Sequence, residues 1–208
     1  MNTIEKYEVA LYEDLKQYLL EQGEVDEHMP ECPDVEDKWQ AIGEAYLPDG
    51  IREFQNYPTA SLGWMMYIGM AIARFWDEDW DLYKHIANLY ALLRDKRGYD
   101  QLDEYVREGV LLLRGDEYDK TEQLVSTCAT RTHTLLMRQG FEPGTVDAMK
   151  GYVASLRQLY LMGMSVELHR LGYHMTRQTI YFIIYNIISR VRAFEHSSIR
   201  SLELKSNV

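Results

Sequence analysis

The densest run of chemistry-bearing side chains is Phe75-Trp76-Asp77-Glu78-Asp79-Trp80-Asp81, followed by His85. Asp81 and His85 stand four residues apart, which on a helix puts them on one face. A carboxylate so placed can orient the imidazole, or the two can share a metal ion. Metal binding needs three or four converging ligands, so further ones would have to come from His133, Glu167, His169 or His174. A plainer account uses the same residues: acids in the first turn of a helix are favoured by its dipole, and Trp76 and Trp80 pack the corner between two helices.

A second group, Glu167, His169, Arg170, Tyr173 and His174, gathers near a helix end. Glu167 and Arg170 have the spacing of an i, i+3 pair, and His174 falls just past Gly172, where an imidazolium meets the carbonyl end of a helix. With Arg177, this corner has the cations to hold an anionic ligand; favourable cations at a helix C-terminus are the more common reason for such a cluster. The ligand-binding candidates are therefore Asp77, Asp81, His85, Glu167, Arg170 and His174, and no catalytic residue, metal site or cofactor is assigned. Arg131, His133 and Asn186 lie within apolar helical patterns and can either line a pocket or fix packing register.

Known catalytic spacings are missing. None of the six histidines has a glutamate three residues before it, which disfavours the dinuclear carboxylate bundle. The H-E-x-x-H zinc pattern, the G-x-S-x-G elbow and the Gly-rich phosphate loops are absent as well.

These residues must be positioned by helices. Ile4, Tyr7, Leu11, Leu15, Tyr18 and Leu19 recur at spacings of three and four; Asn2 can cap this helix and Gly23 can end it. Residues 24–33 hold four acids and two prolines and read as a loop. Asp34 then offers a cap for a helix through Val35, Trp39, Ile42 and Tyr46, stopped by Pro48 and Gly50. Trp39-x-x-Ile42-Gly43-x-x-Tyr46 alternates large and small residues as helical repeats do, but no copy follows 34 residues on. Residues 59–76 are apolar all round, the mark of a core helix, and too short for a membrane span of about 20 residues.

Further helices are expected from about Asp79 to Lys96, from Asp100 to Gly115 and from Asp116 to Gln139. Thr145 can cap the next, whose seam of Val146, Met149, Val153, Leu156, Tyr160, Met164 and Leu168 runs to Gly172, and a last one spans about Thr176 to Phe194. No alternating hairpin pattern appears. The expected fold is all-α: a single-domain, largely antiparallel bundle of about seven or eight helices over residues 1–208.

The 208 residues carry a net charge of −11, which argues against a protein built to bind nucleic acid. Residues 1–104 hold 23 acids and 9 bases, and 105–208 hold 10 acids and 13 bases, an asymmetry that fits attraction between two halves or two subunits, or more simply a solvated acidic face. Cys32 and Cys128 read as free thiols, and the N-terminus reads as a capped helix with no leader, so a cytoplasmic location is expected. Sixteen tyrosines, four tryptophans and ten methionines exceed what narrow apolar stripes absorb, which favours self-association. The expected function is an interaction or regulatory module acting through a homo-oligomer or a protein partner, without nucleic acid or membrane. The other reading is an enzyme binding a small-molecule ligand or metal in a pocket between helices.

Overall fold

The stripe of Tyr7, Leu11, Leu15 and Leu19 is wholly buried along α1 (Thr3–Glu21), the first element of a computed structural model that describes residues 3–173. The described residues form α2 (Pro33–Glu36), α3 (Trp39–Phe54), α4 (Pro58–Tyr83), α5 (Leu89–Arg97), α6 (Leu102–Tyr105), α7 (Asp116–Arg138) and α8 (Val146–Arg170). A 3-10 turn at Tyr99–Gln101 precedes α6 and a π-helical turn at Val106–Val110 follows it. No strand occurs among the described residues, and the eight α-helices pack on one another as the bundle predicted from the sequence. Asn2 and the helix expected from Thr176 to Phe194 lie outside the described residues.

The centre is the pair α4 and α8, apolar on nearly every side and packed more extensively on each other than any other two elements. Glycine makes the contact close. A β-carbon at Gly69 would run into the Tyr160 carbonyl oxygen and one at Gly163 into that of Met66, so backbone lies directly on backbone. The pairs Ser61 with Tyr152, Gly69 with Tyr160 and Arg74 with Glu167 ascend together in both helices, so α4 and α8 run parallel. The α7 cover runs the other way. Gly63 lies against Val125 while Tyr67 lies by Arg107 and Tyr118, and Leu136 meets Gly151 while Thr121 meets Arg170, so α7 is antiparallel to both. Parallel packing of the central pair is possible because α5, α6 and α7 intervene in sequence and return the chain to its starting end.

Four boundaries differ from the sequence reading. The helix expected from Asp34 is split into α2 and α3 by a turn at Asp37 and Lys38, and Cys32, not Asp34, stands at the N-cap position. Helix α3 does not stop at Pro48 or Gly50 but continues to Phe54. Pro48 is exposed, so the Glu44 carbonyl that loses its i+4 donor lies on the solvent side. Gly50 is needed for packing: a β-carbon would meet the Tyr46 ring and the Tyr152 hydroxyl at 2.7 Å. The expected helix from Asp79 to Lys96 is two pieces. Asp79 leaves helical geometry and its carboxylate accepts from Leu82 N at 3.1 Å, capping a turn that ends at Tyr83; Asn88 then caps α5 by accepting from Ala91 N. Acids at 77–81 oppose the dipole at the end of one helix and favour the start of the next, which explains the break. The expected helix from Asp100 to Gly115 ends at Val110, where Leu111 N reaches back to Val106 O.

The seam read along α8 is also too narrow. Thr145 does cap the helix, but its first-turn Val146 and Met149 are exposed, whereas from Gly151 to Leu168 nearly every residue is buried. No described helix is long and apolar enough to cross a membrane.

Candidate functional site

At its far end α8 meets the second half of α4. Glu167 is 1% exposed and its carboxylate lies 2.5 Å from Arg74, so the i, i+3 pairing with Arg170 expected from the sequence is not made. Arg170 turns instead to Glu24 at 2.8 Å and to the Thr121 hydroxyl at 3.1 Å, because its helix end is clasped between α7 and the acidic loop. His169 faces Asp26 at 3.6 Å, and Ser165 donates to the Pro30 carbonyl at 2.9 Å. The acidic segment 24–33 is thus irregular, as its sequence predicts, and is strapped onto α8 by these contacts.

The Glu167–Arg74 pair is close in distance but poorly directed: among the described residues, Glu167 Oε1 and Arg74 Nε each lack a well-aligned hydrogen bond. Burial pushes the Glu167 carboxyl above its ordinary value, with Arg74 and Arg170 opposing the shift. Asp77 belongs here too. It accepts a 2.7 Å hydrogen bond from the Tyr173 hydroxyl and adds negative potential at Glu167. Trp76 packs edge-on against Tyr173 and donates to Asp34 at 3.1 Å, which is the corner-packing role its position suggests.

Asp81 and His85 are not part of this cluster and do not share a helix. Asp81 lies in the last turn of α4, fully exposed and paired with Lys84, which holds its carboxyl below the usual range; His85 sits exposed in the turn that follows. The break after Tyr83 removes the one-face geometry that an unbroken helix would have given them. His174 lies outside the described residues. Among the described residues no group of three or more His, Cys, Asp and Glu is placed to hold a metal ion.

Polar residues elsewhere are absorbed by packing. Arg131 makes a bidentate pair with Asp14, both contacts at 2.8 Å, and His133 packs edge-on to Phe54. Arg107, 3% exposed, is held by Asp103 and Glu122 and lies 4.1 Å over the Tyr118 ring. Cys32 and Cys128 are free and buried, and burial pushes their thiols up to about 11 and about 12, so both stay protonated and unreactive at neutral pH.

The opposite end of α8 carries a feature that the sequence reading missed. The last turn of α3, the end of α7, the connection from Phe141 to Thr145 and the first two turns of α8 enclose a groove of about 550 Å3. Its inner wall is Leu136 and Tyr152, both under 10% exposed, with half-buried Ile51, Phe54 and Phe141. Met137, Val146 and Met149 stand at its mouth at 63%, 69% and 43% exposed. None of the described residues lining it carries a formal charge; Gln55 and Thr145 supply its polar side chains beside the Tyr152 hydroxyl.

The floor is held rigidly from behind. The Tyr46 hydroxyl donates to the Ser61 carbonyl at 2.6 Å, the Ser61 hydroxyl donates to the Gly50 carbonyl at 2.8 Å, and it shares a 2.7 Å hydrogen bond with the Tyr152 hydroxyl. This knot ties α3, α4 and α8 beneath the groove. The mouth is softer: Gly140 and Gly144 take positive φ on either side of Phe141, and methionines adapt their shape. A sequence signal existed in Val146 and Met149 at the start of α8, large apolar residues where a capped helix normally carries polar ones. The chain matches no protein-family model, no curated protein and no solved structure.

Proposed function

We propose that the protein is an interaction module that works through the mouth of the α3–α7–α8 groove, with a second copy of the chain as partner. The observation that carries this reading is the contiguous set Met137, Val146 and Met149, large apolar side chains left in water at the edge of an apolar concavity. Surplus apolar surface of this kind is the usual mark of a protein contact, and methionine is favoured there. The charge asymmetry between the acidic first half and the slightly basic second half supports attraction between copies. The enzyme reading has less support, because Asp81 and His85 are exposed and apart from the Glu167 cluster.

Sedimentation velocity over a concentration series tests the proposal. The expected result is a reversible dimer, abolished by Met137→Glu and Met149→Glu, substitutions at exposed positions that leave the helical circular dichroism intact. A chain that stays monomeric up to about 100 μM, a concentration that would populate any dimer of micromolar affinity, overturns it.

A further inference from the structure

We propose that the floor of the groove is a binding site for a small, uncharged, largely apolar molecule. A volume of about 550 Å3 falls in the range of small-molecule sites and is enclosed by side chains from three helices and one connection. The lining sets the chemical class. It offers aromatic and aliphatic surface from Phe54, Leu136, Phe141 and Tyr152, and none of its described residues has a charged side chain to pair with a charged ligand. An ion entering it would lose water without gaining a counter-charge, whereas an apolar body loses nothing on desolvation. Gln55, exposed at the edge, supplies a donor and an acceptor for one polar end.

Pre-organisation strengthens the assignment. The Tyr152 hydroxyl is already engaged by Ser61, so the ring that forms the floor is fixed before any ligand arrives, and its polar atom makes no demand on the occupant. Met137 and Met149 at the mouth can close over occupants of different outline. The buried acidic cluster around Glu167 lies toward the other end of α8, about 22 Å along the helix from Tyr152, and takes no part.

The full chain, held at low micromolar concentration, is titrated with the neutral dye Nile red, followed by its emission shift, and the dye is then competed with 1-octanol, octanoate and octylammonium. Saturable dye binding is expected, displaced by octanol, with each charged congener weaker by at least about tenfold. Ala148→Trp fills the groove from a half-buried position and should weaken octanol by at least about tenfold, the loss that follows from leaving two methylenes in water. Val146→Glu, at a side chain already 69% exposed, puts a carboxylate at the mouth without touching the core and should weaken octanoate further than octanol. Absence of saturable binding, equal competition by the charged congeners, or insensitivity to both substitutions overturns the proposal. The proposal shares the groove with the self-association reading but not its test. A monomer that binds octanol refutes self-association alone, and a dimer that binds neither dye nor alcohol refutes the ligand site alone.

Discussion

Replacing Gly69 by Ala should force the central helix pair apart. A β-carbon there would overlap the Tyr160 carbonyl oxygen and lie 2.9 Å from its carbon and 3.1 Å from Met164 N. These are backbone atoms of a buried helix, so no side chain can swing aside to relieve the contact. The axes must separate by about 1 Å, and a gap of that size forfeits roughly a quarter to a half of each pairwise attraction across the interface. Met65, Met66, Ile72, Leu159 and Met162, all fully buried on these two helices, share the loss. Overpacking of this kind costs about 3 kcal/mol, and the better helix propensity of Ala returns about 1, leaving a net loss of about 2 kcal/mol. For a domain of this size the midpoint of thermal unfolding falls by about 4–8 °C.

Gly63 provides the internal comparison. Its added β-carbon would meet only side-chain atoms, Val125 Cγ1 at 3.2 Å and Ala129 Cβ at 3.6 Å, so Gly63→Ala should stay within about 1 kcal/mol of the parent. Gly163→Ala strikes the same crossing from the other helix and should resemble Gly69→Ala. Once one substitution has separated the helices the second adds little, so the double variant should be clearly less destabilised than the sum. Urea denaturation of the four variants measures all of this. Gly69→Ala no less stable than Gly63→Ala, or strict additivity of the pair at 69 and 163, would refute the close-crossing argument.

Glu167 makes stability depend on pH in a stated direction. Its folded-state carboxyl is raised above the ordinary value of 4.5 by burial, so the folded state holds that proton more tightly than the unfolded chain. The contribution is fully present below 4.5 and is lost as pH rises through the folded-state value. In urea titrations across that window the parent should lose stability relative to Glu167→Gln as pH rises; a constant difference at every pH refutes it. Leu112 adopts φ of 56° with 66% of its surface exposed, a conformation that penalises a β-carbon and gains little from burial. Leu112→Gly should therefore raise stability by about 0.5 kcal/mol while Leu112→Ala leaves it nearly unchanged. Chemical denaturation showing the Gly variant to be the less stable of the two contradicts that account.

Local rules determined much of this chain. The three-four spacing of Tyr7, Leu11, Leu15 and Leu19, the all-round apolarity of 59–76, the Thr145 cap and the proline-rich acidic loop each depend on neighbours a few residues away, and each stands as the sequence predicts. Pro48 and Gly50 show where those rules end, since a solvent-facing carbonyl and a tight tyrosine contact, both set by distant packing, turn two helix breakers into helix residues. The candidate sites depended still more on tertiary structure. Spacing alone paired Asp81 with His85 and Glu167 with Arg170; a break after Tyr83 separated the first two, and a neighbouring helix offered Glu167 a closer cation in Arg74. The groove needed four segments separated by up to about a hundred residues, none of which signals it alone. Which apolar side chains become core and which remain at a mouth is a property of the space left between packed helices, and that space is set only when they meet.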